Sequence, residues 1–209
     1  MPNLTIIDHP LLRHKVSLLR DVSTEKKEFM ELVDEIAMLM AYEVTADLET
    51  EEYEVETPLE YTRGYRVRGR KLTLIPILRA GLGMVEGVMR LLPTMPVGHI
   101  GLQREHETLQ PVDYYYKIPP NAEERRFIVT DPMLATGGSA SAAIAFLKNS
   151  GALSIRLMCI VAAPEGVRKL LHDHPDVPVF TAALDRELNE HGYILPGLGD
   201  AGDRLYGTL

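Results

Sequence analysis

The residues best suited to chemistry lie in FIVTDPMLATGGSASAA, Phe127 to Ala143. An apolar run ends at Asp131, and Thr136, Gly137, Gly138 and Ser139 then open a helical stretch. Glycines let a backbone approach an anion closely, and the first N–H groups of a helix, with its dipole, favour a dianionic phosphate. The hydroxyls of Thr136 and Ser139 add donors, and a carboxylate at Asp131 accepts hydrogen bonds from sugar hydroxyls. The spacing points to a grip on a phosphorylated sugar; a plain capped strand–helix turn is the simpler alternative. It is not a P-loop, because no Lys follows Gly137 or Gly138. In PILRAGLGM (76–84), Arg79 offers a planar fork matched to phosphate oxygens, with Ala80 and Gly81 permitting close backbone approach. A surface ion pair would account for Arg79 as well. Arg104, beside Glu105 and Glu107, reads by itself as solvated loop charge.

The elements that must position these residues follow from periodicity. Phe29, Leu32, Val33, Ile36, Met40 and Val44 recur three or four apart, which predicts a helix over about 24–47 with Ser23 or Thr24 as its cap. Tyr53, Val55 and Thr57 alternate with Glu, so 50–70 reads as a hairpin or arm. Short apolar strands follow at 72–78, 97–102, 126–131, 154–163 and 177–184, with helical stretches at 84–92, 139–150 and 165–173. Near-continuous apolar strands alternating with helices predict an α/β fold whose parallel sheet is covered on both faces. Gly151 suits a helix end and Pro164 a helix start. Ligands of such sheets bind beyond the carboxyl ends of the strands, so the loops after 78, 102, 131 and 163 are the ones to inspect.

Bulk properties exclude several classes. The 209 residues suit one domain, 1–209, with no linker or repeat. A net charge of −8 argues against a nucleic-acid partner, and the basic run at 63–71 reads as a solvated strand face. No apolar run approaches a membrane span and the start lacks a signal-peptide pattern, so a cytoplasmic protein is expected. Cys159, the only cysteine, lies in an apolar run and reads as core. His172-Asp173-His174 reads as surface charge, His99 and His106 have no carboxylate at motif spacing, and the stretch Met30–Met40 reads as core packing. Gly197-Leu-Gly199-Asp-Ala-Gly202 is a literal GxGxxG, but only seven residues follow it, which rules out a dinucleotide fingerprint.

The Phe127–Ala143 segment resembles the ribose-5-phosphate signature of the type I phosphoribosyltransferases, and the DPMLATGGS form with Pro132 in place of a second acid resembles their uracil phosphoribosyltransferase branch. That resemblance implies a parallel sheet flanked by helices, with a β-arm at about 50–70 and a C-terminal base-binding segment at about 186–209. It implies that Asp131, Pro132, Met133, Leu134, Ala135, Thr136, Gly137, Gly138 and Ser139 hold phosphoribosyl diphosphate (PRPP). PILRAGLGM resembles the loop that meets the diphosphate through Arg79, and GLQREHETLQP (101–111) the mobile loop that closes over it through Arg104. YILPGLGDAGDR (193–204) resembles the uracil-recognition segment: Ile194, Gly199 and Ala201 would touch the base, Asp200 the phosphoribosyl moiety, and Tyr193 would pack near base or ribose, a structural role serving equally well. Bare backbone groups of a glycine-rich loop can match the two carbonyls and the N3–H of uracil. Further implications are one Mg²⁺ per subunit carried on the diphosphate, with no protein metal ligands, UMP and diphosphate as products, a homodimer or higher homo-oligomer, and GTP as an activator for which no residues can be named. The resemblance also makes Arg79, Arg104 and Asp200 the catalytic candidates. A nucleotide-sensing RNA-binding relative, a transferase for orotate or a purine, and a nucleoside kinase are the rival readings.

Overall fold

The computed structural model describes residues 3–69, 71–104 and 111–208, with the backbone alone for 103, 104 and 111–114. The chain runs β1 (Leu4–Ile6), α1 (Pro10–Arg20), α2 (Lys26–Val44), β2 (Thr50–Glu56), β3 (Tyr61–Val67) and β4 (Lys71–Leu78). A 3₁₀ turn at Ala80–Met84 leads into α3 (Val85–Leu91), β5 (His99–Arg104), β6 (Pro111–Lys117), β7 (Arg125–Thr130), β8 (Met133–Leu134) and α4 (Gly138–Asn149). Then come β9 (Ser154–Ala162), α5 (Pro164–Asp173), β10 (Val179–Leu184), β11 (Glu187–Leu188), β12 (Ile194–Leu195) and α6 (Ala201–Tyr206).

Among the described residues an eight-stranded sheet has the order β1-β10-β9-β7-β4-β5-β6, with β8 paired to β9. It is parallel except for β6, which runs antiparallel to β5. The expected parallel sheet flanked by helices is thus present, with an antiparallel strand added at one edge, a pairing that needs no crossover connection. Alternation along the strands loads both faces. Phe127, Val129, Leu157 and Cys159 pack with α4 and α5, while Ile128, Met158 and Ile160 pack with α1, α2, α3 and α6. Cys159 is fully buried and burial pushes its thiol up to about 12, as core filler requires.

Several boundaries differ from expectation. The first long helix spans 26–44 rather than 24–47, and neither Ser23 nor Thr24 caps it. Their hydroxyls bond to Asp21 Oδ1 at 2.7 Å and to the Leu18 carbonyl at 2.6 Å, closing the α1–α2 turn instead. The stretch 84–92 starts as a 3₁₀ turn, and β1, α1 and α6 went unread. His174 is buried rather than part of a charged surface: Ser141 Oγ donates to Asp173 Oδ2 at 2.6 Å and His174 Nε2 lies 2.9 Å from the Ser141 carbonyl, joining α5 to α4. The arm is the expected hairpin, β2 against β3, with Glu51–Arg66 (2.6 Å) on one face and Glu52–Arg63 (3.5 Å) on the other.

The C-terminal segment is irregular and held by charge. Arg20 makes a two-pronged contact with Asp185, at 2.7 and 2.6 Å, and donates to the Gly197 carbonyl at 2.7 Å. Asp185 Oδ2 also accepts from the Gly197 N–H at 2.8 Å. Arg204 donates to the carbonyls of Leu19, Leu198, Asp21 and Thr24 and stacks 4.2 Å over the Phe29 ring. Arg20→Ala leaves a carboxylate that is only 5% exposed without its cation, and loss of one partner of a buried pair costs about 3 kcal/mol. Urea denaturation is expected to show a loss of that size, against a change within about 0.5 kcal/mol for Lys27→Ala on the exposed α2 face; equal small shifts would remove Arg20 from the anchor.

Candidate active site

The sheet brings two of the sequence-derived loops to the carboxyl ends of adjacent strands, β4 and β7. The chain leaves β4 through a cis Leu78–Arg79 peptide into the 3₁₀ turn. There a Cβ on Gly81 would stand 2.4 Å from the Thr130 carbonyl oxygen, so only glycine lets the Arg79 loop press against the end of β7. The next residue, Asp131, anchors its own loop: Oδ1 accepts from the Met133 N–H at 3.3 Å.

The phosphate-type loop has the required construction. Gly137 sits at the N-cap of α4 with φ +81°, where a side chain would be strained and its Cβ would meet the Gly166 carbonyl at 2.8 Å. Gly137 itself has no side chain to cap α4, and N–H groups at the start of a helix suit an anion. The Thr136 hydroxyl accepts from the Gly138 N–H at 3.5 Å, and α5 supports the loop from behind.

Against these loops stands the C-terminal segment. A cleft of about 230 Å³ is lined by Ala80, Asp131, Met133, Ala135, Gly192, Tyr193, Gly199, Asp200, Ala201 and Gly202. The structure thus gathers Asp131, Met133, Ala135, Tyr193, Gly199, Asp200 and Ala201 at one site. Pro132 and Leu134 are buried beside it, and Thr136 to Ser139 continue from its edge into α4. Ile194 is not brought to the lining; its side chain is 3% exposed and turned into the core. Arg79 is exposed at the rim next to Ala80. Asp200 caps α6, its Oδ1 accepting from the Asp203 N–H at 2.9 Å. Arg104 ends β5, while its side chain, and residues 105–110 with His106, lie outside the described residues.

Sequence reasoning missed three residues. Gly192 belongs to the β11–β12 turn, where a Cβ would lie 3.6 Å from the Thr136 methyl, so this turn abuts the phosphate-type loop. Gly202 forms the first turn of α6. Tyr206, at the end of α6, donates its hydroxyl to the Arg79 carbonyl at 3.0 Å. Gly202 lies inside the quoted tail motif as part of its glycine-rich loop and Gly192 just before it; nothing in sequence spacing flags Tyr206.

The cleft's charge is arranged rather than absent. Burial pushes the Asp131 carboxyl up to about 7, the Asp200 charge adds to this, and the Met133 N–H opposes it. Among the described residues no group of three or more His, Cys, Asp or Glu is placed to hold a metal ion.

The chain is similar to known proteins along nearly its whole length. A family profile described as uracil phosphoribosyltransferase covers residues 6–208. A protein of Bacillus cytotoxicus named uracil phosphoribosyltransferase is 61% identical over 208 residues, covering 100% of each chain. The solved structure of the AQ2163 protein from Aquifex aeolicus superposes with a TM-score of 0.92 at 35% identity, covering 98% of each chain. An adenine phosphoribosyl transferase from Trypanosoma brucei, solved with AMP, pyrophosphate and ribose-5-phosphate, shares the fold at a TM-score of 0.59 and 13% identity, over 96% of this chain and 89% of that one.

A raised carboxyl has a defined signature. With a folded pKa near 7 against an unfolded value of about 3.9, the native state holds the extra proton between those limits, so ionising Asp131 lowers stability as pH rises through them. Relative to Asp131→Asn, the unliganded protein is expected to lose stability from pH 4 to 7 and to run parallel above that. Carboxyl-carbon NMR is expected to give a midpoint near 7; an ordinary midpoint near about 4 would contradict the buried site.

Proposed function

The chain belongs to the uracil phosphoribosyltransferase family, and on that premise we infer that it transfers the phosphoribosyl group of 5-phospho-α-D-ribose 1-diphosphate to N1 of uracil, giving UMP and diphosphate. It is a pentosyltransferase of pyrimidine salvage. One observation carries this reading: Asp131, Met133 and Ala135 of the strand–loop–helix face Gly199, Asp200 and Ala201 of the C-terminal segment across one cleft. A sugar phosphate held at the start of α4 would then present its C1 toward the segment that reads the base.

The residues take the following roles in this proposal. The leading N–H groups of α4 and the hydroxyls of Thr136 and Ser139 hold the 5-phosphate, and Asp131 accepts from the ribose hydroxyls. Arg79 and Arg104 neutralise the departing diphosphate as the C1–O bond breaks, an electrostatic and positioning task. Positive charge builds on the ribose ring while N1 of uracil attacks from the other side. Backbone groups of Gly199 and Ala201, with Ile194 contributing through its main chain, face the base edge; Tyr193 packs beside it. Asp200, which lines the cleft, contacts the phosphoribosyl moiety and is the candidate acceptor for the N1 proton by its position alone.

Among the described residues no Lys or Arg lines the cleft, which favours uracil over orotate. Arg204, the cation that could have met an orotate carboxylate, is spent on four backbone carbonyls. Cytosine replaces the O4 acceptor with an amino donor, and facing a backbone N–H with a donor leaves both unpaired at about 1–3 kcal/mol. Mg²⁺ enters as part of the substrate: Asp131 and Asp200 line the cleft without a third ligand, which suits an ion carried on the diphosphate rather than a resident metal. That ion supplies charge neutralisation to the leaving group.

Assembly as at least a dimer, activation by GTP and residence in the cytoplasm complete the reading. The arm supports assembly: its two strands pair only with each other among the described residues, they carry exposed Tyr61, Tyr65 and Val67, and a lone hairpin is marginal in water. No described helix is long and apolar enough to cross a membrane.

The deciding assay mixes the protein, PRPP and Mg²⁺ with a panel of bases and measures diphosphate release. Uracil is expected to support turnover, and cytosine, orotate and adenine little; equal rates would remove the base specificity. Arg79→Ala is expected to lower kcat/KM on the order of a hundredfold, as for loss of one donor to developing charge, with the fold intact.

A further inference from the structure

The end of the chain reaches back to the diphosphate side of the cleft. α6 begins at the base side, where Ala201 and Gly202 line the cleft, and ends six residues later at Tyr206. Tyr206 Oη donates to the Arg79 carbonyl at 3.0 Å, and the Arg79 guanidinium carbon lies 5.9 Å from the centre of the same ring. One side chain thus holds both the main chain and the charged head of Arg79. The seat of α6 is equally specific: Leu205 packs where a Cβ on Gly83 would come within 2.8 Å of its Cδ1, so the glycine-containing 3₁₀ turn and α6 are in direct contact. Asp200 fixes the opposite end of the helix by capping it.

We propose that Tyr206, at the end of α6, is a positioning residue for Arg79. The proposal rests on the reading that Arg79 meets the diphosphate. The ring supplies a flat cation-attracting face and the hydroxyl fixes the carbonyl, which together limit the rotamers open to an exposed arginine. Arg79 is thereby held near its working position before substrate arrives.

Steady-state kinetics of the full-length protein test this with Tyr206→Leu, Tyr206→Phe, Arg79→Ala and the Arg79→Ala/Tyr206→Leu double variant. Tyr206→Leu is expected to raise the KM for PRPP about tenfold, the scale of one hydrogen bond plus one exposed cation–π contact. The KM for uracil should stay within twofold of wild type on the same reasoning, and thermal melting should confirm the fold. Tyr206→Phe, which keeps the ring, should recover part of the loss. In the Arg79→Ala background the Tyr206→Leu change should cost little more, because its effect runs through Arg79. Calorimetric titration with inorganic diphosphate should show the same order of affinities. Losses shared equally between the two substrates, or losses that add fully in the double variant, would overturn the positioning role while leaving Arg79 at the diphosphate. Wild-type kinetics for Arg79→Ala would instead remove Arg79 from the site, and this proposal with it. Should Tyr206→Leu fail to fold, Tyr206→Phe carries the test alone: an unchanged KM for PRPP together with unchanged diphosphate affinity overturns it.

Discussion

The pairing of Arg20 with Asp185, with Gly197 hydrogen-bonded to both, is the contact on which the site depends. The wall of the cleft opposite the phosphate-type loop is built from a segment with one pair of two-residue strands and one short helix, too little regular structure to hold its own shape. Its position comes from outside, from α1 through Arg20 and from the α1–α2 turn through Arg204. These contacts sit where the segment leaves the sheet and where α6 completes it. The base-reading residues between them are therefore constrained at both ends while their own backbone groups remain available to a ligand. Burying such charges is costly unless every partner is in place, and here the carbonyls of Leu19, Asp21, Thr24, Leu198 and Gly197 supply the partners.

The chain carries a net charge of −8 yet handles a substrate rich in phosphate. Long-range attraction does not assist it, so the anion must be met by fixed local dipoles and a few placed cations. In the proposed reading the start of α4 provides the first and Arg79 the second. The elevated Asp131 belongs to the same arrangement. At neutral pH a carboxyl near the midpoint of its titration adds less repulsion to the arriving phosphates than a full charge would, and it can still ionise when ribose hydroxyls donate to it.

How far the sequence reveals this depends on the range over which each signal acts. β4, β7 and β9 are readable because a strand buried on both faces must be apolar throughout, and α4 because small and hydroxylated residues must precede it. α1 escaped because PLLRHKVSLLR is short, with basic residues interrupting its apolar ones, and β6 because an antiparallel edge carries no crossover helix to announce it. α6 was hidden by its glycine-rich approach; Asp200 followed three residues later by Asp203 is a helix-start signal that the ligand reading of Asp200 obscured. The anchoring of Arg204 to carbonyls some 180 residues earlier, and of Tyr206 to Arg79 at a separation of 127, leaves no local trace at all. For the same reason nothing local shows that Arg204, a cation within the tail motif, is committed to main-chain carbonyls.

The central claim is that one cleft joins a phosphate grip on α4 to a base reader at Gly199–Ala201. A crystal structure of the protein with UMP tests it most directly. The account predicts the 5-phosphate at the N–H groups of Gly137–Ser139, the ribose hydroxyls on Asp131, and the uracil edge against the backbone of Gly199 and Ala201, with the Arg20–Asp185 contact unchanged. A phosphate bound away from the start of α4, or a base that leaves the C-terminal segment untouched, would contradict it.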